Sequence, residues 1–391
     1  MYANPRTARH NVTLSSSKGG QSPNPRRTEL KPPDALLLGS VAFLVALGLV
    51  MVFSSSSAIA YSYHHDTAYF LKRQVVYLIV GLALAYAAYR VDYRKLRAIA
   101  PGLVLVTFVL LVLTLIPHVG YATGGARRWI GMRAISFQPS ELGKLALVIF
   151  LAAKLSQLGE NVRSLSKGVG PALFVTLLLA APVFVEPDMG TASLYIFTAF
   201  ALLFTAGARF EHLIMCALVM LPAAAIAIGS SAYKRARIFA FLDPWKDAQN
   251  TGYHTVQSLL ALGSGGLAGL GLGASRQKYF YLPEAYTDYV FAVLGEELGL
   301  LGCIAVIALF VLFAIRAVTL ALKAPDRFGM LLAMGCTFTI VIQAFINIGV
   351  VTSSWPVTGV PLPFISFGGT SLIVSLIAVA LIANVGRHRT N

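Results

Sequence analysis

The sequence is short of charge. Only 12% of its 391 residues are Asp, Glu, Lys or Arg, about half the share in a soluble globular chain. Hydrophobic residues make up 57% and mean hydropathy is +0.73. That excludes a single water-bounded core, and lipid must solvate much of the chain. Cysteine is also scarce. Cys216, Cys303 and Cys336 are the three present, each inside an apolar stretch and none in a CxxC pair, which argues against disulfides and against a Cys-ligated metal. Acidic residues number 16 against 31 Lys and Arg, for a net charge of +15. No soluble basic domain accompanies that charge, so nucleic acid is not an expected partner. Basic residues beside anionic membrane lipid account for it better. No signal-peptide pattern opens the chain. Residues 1–34, polar with Pro, Ser and Arg, read as a disordered basic cytoplasmic tail. No internal repeat of the kind that marks inverted-repeat transporters is visible.

What is present is a series of long apolar runs. A bilayer core of about 30 Å needs about 20 apolar residues in a helix. Ten stretches qualify, near 35–59, 74–90, 100–118, 139–158, 170–186, 189–206, 210–230, 289–320, 329–352 and 366–385. The expected fold is therefore an all-α polytopic membrane protein with ten transmembrane helices. Residues 35–386 form its membrane domain and 387–391 a C-terminal cytoplasmic tail. Only EPDMG separates the fifth run from the sixth, and the eighth is long enough to tilt or to leave the membrane. With both termini inside, nineteen of the 31 Lys and Arg residues fall on inner segments and eleven on outer ones, with Lys144 intramembrane. The bias favours both termini being cytoplasmic. Eleven outer cations still point to an anionic ligand outside. The largest outer connection, 231–288 between the seventh and eighth helices, carries Phe239, Phe241, Trp245, Tyr253, Tyr279, Phe280 and Tyr281, and is expected to be ordered against the membrane.

An ionisable group at membrane depth costs about 2.5–3.5 kcal/mol, so it needs a partner or a role. Glu141 and Lys144 are three apart on one helical face, either as a structural ion pair or as part of an anionic site. Glu186 and Asp188 flank Pro187 at a helix break, and Asp188 can cap the next helix. Asp288, with Glu284 nearby and Glu296 and Glu297 beyond, opens a long apolar helix at the outer interface. It is either an N-cap or a carboxylate base in a partly apolar cleft. The run TSSWPVTGVPLPFISFGGTS breaks apolar sequence with Pro and Gly, and reads as the wall of an outer cleft. The glycine-rich GSGGLAGLGLG (263–273) lacks the GK[ST] end of a phosphate loop, and close backbone packing explains it better.

These segments also carry a family likeness. GGARRWI (124–130), FQPSELGK (137–144), EPDMGTA (186–192), RIFAFLDPW (237–245), TGYHTVQSLLALGSGG (251–266), GLGLGASRQKYFYLPEAYTDYVFAVLGEELG (269–299) and QAFINIGVVTSSWPVTGVPLPFISFGGTSL (343–372) together resemble the SEDS family of shape, elongation, division and sporulation proteins. They occur in the expected order across nearly the whole membrane region. The chain departs from the usual pattern at Tyr286-Thr287-Asp288-Tyr289, where the family reads His-Thr-Asp-Phe. It departs also at Gly252-Tyr253-His254, usually Gly-Tyr-Gln, and at Glu186-Pro187-Asp188, usually Gln-Pro-Asp.

The resemblance implies a peptidoglycan glycosyltransferase that polymerises lipid II, a disaccharide-pentapeptide on undecaprenyl pyrophosphate, at the outer face of the bacterial cytoplasmic membrane. The wording is closest to the division branch, which implies septal wall synthesis. Elongation and sporulation polymerases, a lipid II flippase and a scaffold remain alternatives. On this reading Asp288 is the catalytic base. The substrate-binding set is Arg73, Arg127, Arg128, Lys144, Glu141, Lys278 and Glu297, with the cations holding pyrophosphate. Asp188, Asp243, Gln257 and Ser258 are supporting. No dedicated metal cage is visible, although Mg or Mn could assist. The implied partners are lipid II, the nascent glycan, a class B penicillin-binding transpeptidase and divisome proteins.

Overall fold

The segment spacing produces helices at all ten apolar stretches. In the computed structural model these are α1 (Ala35–His64), α2 (Tyr69–Arg90), α3 (Leu96–Leu115), α4 (Pro139–Gln157), α5 (Gly170–Val185), α6 (Met189–Thr205), α7 (Phe210–Gly229), and, after two further helices, α10 (Val290–Leu322), α11 (Arg327–Val351) and α12 (Gly369–Arg387). The structure describes residues 31–389 except 118–119, 124–125 and 133–134. Residues 1–30 of the expected N-terminal tail and the last two residues of the C-terminal one lie outside the described residues. Seven of the ten helices are long and apolar enough to cross a membrane, and α6 and α7 are shorter apolar helices. The tenth, α4, carries Glu141, Lys144 and Lys154, yet almost all of its inward residues are buried.

Local chemistry sets the helix starts. The Asp34 carboxylate accepts the Leu37 N–H at 2.9 Å and begins α1. Asp326 does the same for Gly329 at 2.8 Å in α11, satisfying donors that a helix start leaves free. The core is central to the later helices. Within their most apolar windows α12 is 89% buried and α11 72%, whereas α2 is 11% buried. α11, α12 and α4 therefore form the middle of the bundle, and α2 presents most of its apolar surface outward.

Both ends of the described chain meet. The Lys31 N–H donates to the Arg387 carbonyl at 2.9 Å, and the Asp34 carboxylate pairs with the Arg316 guanidinium near the C-terminal end of α10. α11 has 25 residues, a length of about 38 Å. Tyr93 contacts both His388 and, at the start of α11, Asp326, and Asn347 near the end of α11 bonds the Asp288 carbonyl. Asp288 therefore lies at the opposite end of α11 from the ends of the described chain.

That far end holds the structure that apolar run length does not reveal. Residues 120–137 form a three-stranded antiparallel sheet, β1 (Gly120–Thr123), β2 (Ala126–Met132) and β3 (Ile135–Phe137), in the order β1-β2-β3. The long connection 231–288 is ordered, with α8 (Ala232–Leu242), α9 (Tyr253–Gly265) and a turn-rich stretch after α9.

The long eighth run is interrupted at Gly299, which takes φ 68° inside α10. Glycine tolerates that conformation. The carbonyls freed by the break are taken up by the glycine-rich segment: Leu270 N–H donates to Glu296 O and Gly271 N–H to Glu297 O, both at 3.0 Å, and Leu300 N–H donates back to Gly266 O at 2.9 Å. A Cβ on Gly269 would sit 2.2 Å from the Glu297 carbonyl oxygen. The glycines of 263–273 thus serve close backbone packing against α10.

Candidate active site

Asp288 ends the turn that precedes α10. The helix begins two residues later, with Tyr289 in the cap position between and no side-chain cap bond. The Asp288 carboxylate is therefore not the N-cap that the sequence also allowed. No described side chain hydrogen-bonds it. Its backbone is held instead: Asn347 of α11 donates from Nδ2 to the Asp288 carbonyl and to the Val360 carbonyl, each at 2.8 Å. Those two bonds tie the start of α10 to the irregular segment 352–368. Gly359 in that segment has φ 78°, and a Cβ there would stand 3.4 Å from Asp288 Oδ2, so glycine leaves room beside the carboxylate.

Asp288 opens into a cavity of about 710 Å³. Three arginines from three separate elements line it: Arg73 of α2, Arg128 of β2 and Arg237 of α8. Each donates to neutral groups. Arg128 donates from Nε to the Glu186 carbonyl at 3.1 Å and from Nη2 to the Pro187 carbonyl at 2.8 Å. Arg73 donates to the Tyr69 and Tyr77 hydroxyls at 3.3 and 3.4 Å, and Arg237 to the Val357 carbonyl at 3.2 Å. The planar fork of a guanidinium suits phosphate oxygens.

The field around Asp288 suits proton transfer. Burial pushes its pKa from 3.8 up to about 7, with Glu284 and Asp188 adding to the rise and Arg128 and Arg237 opposing it. A carboxylate poised near neutral pH is matched to general-base work. Glu186 is likewise raised to about 7, chiefly by burial, against the lowering effect of the Thr114 hydroxyl bonded to it.

Of the residues read as substrate-binding from sequence, the structure brings Arg73 and Arg128 to Asp288. Arg127 is exposed and does not line the cavity, because neighbours on a strand point to opposite faces. Glu141 and Lys144 form a buried ion pair at 2.5 Å. They reach the wall only indirectly, with Lys144 donating to Gln343 Oε1 at 2.7 Å and Gln343 donating to the Pro361 carbonyl at 2.9 Å. Lys278 and Glu297 belong to another buried cluster, 3.4 Å apart, with Ser54 donating to Glu297 at 2.6 Å. Asp188 caps α6, accepting from the Thr191 N–H and hydroxyl at 3.0 Å. Ser258 donates to the Val351 carbonyl at 2.8 Å, anchoring α9 to α11. Asp243 is the exposed C-cap of α8, and Gln257 is half-buried on α9.

Arg237 and His254 also line the cavity, and neither was singled out as a site residue from sequence. Both lie inside quoted motif segments, but convergence from separate helices is visible only in three dimensions. Among the described residues no three His, Cys, Asp or Glu side chains converge to hold a metal ion.

Residues 34–391 match the family model described as "Cell cycle protein", that of FtsW, RodA and SpoVE. A Geobacter metallireducens protein named probable peptidoglycan glycosyltransferase FtsW is 43% identical over 91% of this chain and 95% of its own length. Stage V sporulation protein E of Bacillus subtilis is 42% identical over 92% and 99%. Among solved structures, one chain of a peptidoglycan synthase complex that coordinates polymerization and crosslinking aligns with a TM-score of 0.75 at 31% identity, covering 91% of this chain and 98% of that one. The Thermus thermophilus rod shape determining protein RodA aligns at 0.68 and 31% identity, over 92% and 98%. With the family matched from residue 34 to the C-terminus and these relatives covered almost end to end, this chain belongs to the FtsW/RodA/SpoVE family of cell cycle proteins.

Proposed function

We propose that this protein is a peptidoglycan glycosyltransferase that joins lipid II units into glycan strands in the cavity around Asp288. Family membership and the names of its relatives support the activity. The single observation that carries the mechanism is a carboxylate that no described side chain hydrogen-bonds, lining one cavity with three arginines. Asp288 takes the proton of the acceptor sugar's 4-hydroxyl as that oxygen attacks C1 of the donor sugar. The bond from C1 to the pyrophosphate oxygen breaks, and undecaprenyl pyrophosphate leaves with the bonding pair. Arg73, Arg128 and Arg237 stabilise the charge that develops on it. The arginines supply this charge from the chain itself.

The orientation follows the same reading. The two ends of the described chain share one end of the bundle, and Asp288 lies at the other. Placing the termini in the cytoplasm puts the cavity outside, where a lipid-linked sugar would present itself after translocation. All ten helices then cross the membrane, and the segment 231–288 is extracytoplasmic. The solved synthase complex supports a transpeptidase partner. We assign the septum as the working location because of the relatives named FtsW.

The test is polymerisation of lipid II by purified Asp288→Asn. A general base contributes about 10²–10⁴-fold, and a loss of that size is expected. Glycan output near wild type from a folded variant would sink the assignment. It would then favour a transporter or a scaffold that uses the same cavity.

A further inference from the structure

Two buried polar atoms, on residues that line the Asp288 cavity, have no partner among the described residues. The Tyr289 hydroxyl is buried and makes no hydrogen bond, and Nδ1 of His254 is in the same state. Tyr289 is only 2% exposed, yet both residues line the cavity. They come from different elements, His254 from the first turn of α9 and Tyr289 from the cap of α10. Their rings stack, with centroids 5.7 Å apart and 21° between planes. Buried polar groups are nearly always hydrogen-bonded, and those that are not call for an explanation. Two of them, stacked together at the wall of a reaction cavity, are explained by a ligand that supplies the partners.

The chemistry of that ligand follows from the state of the two groups. Burial lowers the His254 pKa, with Arg237 acting in the same sense and Glu284 against it, so the imidazole is neutral. It offers one donor and one acceptor. Burial and the neighbouring Asp288 raise the Tyr289 pKa, so its phenol stays protonated and donates. An uncharged pair of this kind suits the hydroxyl and amide groups of a sugar. The charged part of a lipid-linked sugar is served by the arginines elsewhere in the cavity.

We propose that His254 and Tyr289 form a sugar-reading wall, hydrogen-bonding hydroxyl or N-acetyl groups of the acceptor sugar and positioning its 4-hydroxyl on Asp288. The inference rests on the glycosyltransferase reading and adds two specificity-determining residues to it. Tyr289→Phe and His254→Phe keep the ring stack and remove only the polar atoms. Steady-state polymerisation of lipid II by the purified full-length variants is expected to show KM raised about 3–10-fold each, the effect of losing one neutral hydrogen bond. The pH profile should keep its shape. His254→Gln, which restores a donor and an acceptor, should return KM toward wild type, and should His254→Phe fail to fold, the KM of Tyr289→Phe decides. Unchanged KM in Tyr289→Phe and His254→Phe, with only thermal unfolding shifted, would overturn the proposal and leave the pair as core packing. The two readings fail separately. An active Asp288→Asn removes the mechanism, whereas an inactive Asp288→Asn with unchanged KM in the wall variants removes only the wall.

Discussion

Two sets of carboxylates stand about two helical turns apart at the start of α10, in opposite surroundings. Glu296 and Glu297 are sealed in. Lys278 stands 3.4 Å from Glu297 and also donates to the Gly273 carbonyl at 2.6 Å. Ser54 donates to Glu297, the Arg276 N–H donates to Glu296 at 3.0 Å, and the Ser275 hydroxyl bonds Glu296. Asp288 has no such donors and faces a cavity. A carboxylate surrounded by its own partners joins α1, the glycine-rich segment and α10 into one body. One left without donors beside open volume is free to take a proton. The difference separates structural charge from working charge within the short stretch 288–297.

Substitutions can break that contrast from either side. The largest effect is expected from Asp288→Asn, with about 10²–10⁴-fold loss of polymerisation and no loss of stability. The sign follows from linkage. The folded pKa of Asp288 lies above 3.8, so stability present below that pH is lost as pH rises toward 7. An asparagine escapes that loss, and at pH 8 the variant should unfold at the same temperature as wild type or higher. Lys278→Met should do the reverse. Removing one partner of a buried pair costs about 3–5 kcal/mol, visible as a lowered unfolding temperature, while the folded fraction polymerises normally. A dead but stable Lys278→Met would place that cluster in the reaction.

Arg128→Lys is expected to be intermediate. It keeps the charge but loses the two-pronged hold on the Glu186 and Pro187 carbonyls, and kcat/KM should fall about 10–100-fold, the worth of a charged hydrogen bond. The smallest effect belongs to Glu284→Gln. The charge on Glu284 helps to raise the Asp288 pKa. Its removal should move the acid limb of the activity profile to lower pH with little change at the plateau.

Much of this was legible in the sequence. Apolar run length places all ten helices, because the cost of exposing backbone in lipid leaves few alternatives to helix. The sheet at 120–137 is not legible that way. Its strands are short and polar enough to pass for loop. The break at Gly299 is hidden too, because an apolar run does not show which carbonyls a distant glycine segment will satisfy. In the site, charge at an outer interface points to Asp288, and the family likeness adds Arg73 and Arg128; all three line the cavity. Arg127 was grouped with Arg128 because sequence adjacency says nothing of strand facing. Lys144 and Lys278 were grouped with the cations because their partners Gln343 and Ser54 come from elsewhere in the chain. His254 and Tyr289 were visible only as departures from the family wording. Their contact is a product of the fold.

The central claim is that Asp288 works as a base because its surroundings raise its pKa. The most direct measurement is the pH dependence of kcat/KM for lipid II polymerisation by the purified wild-type protein. An acid limb with its midpoint near pH 7 is the predicted result. Activity that stays level from pH 8 down to pH 5 would contradict it.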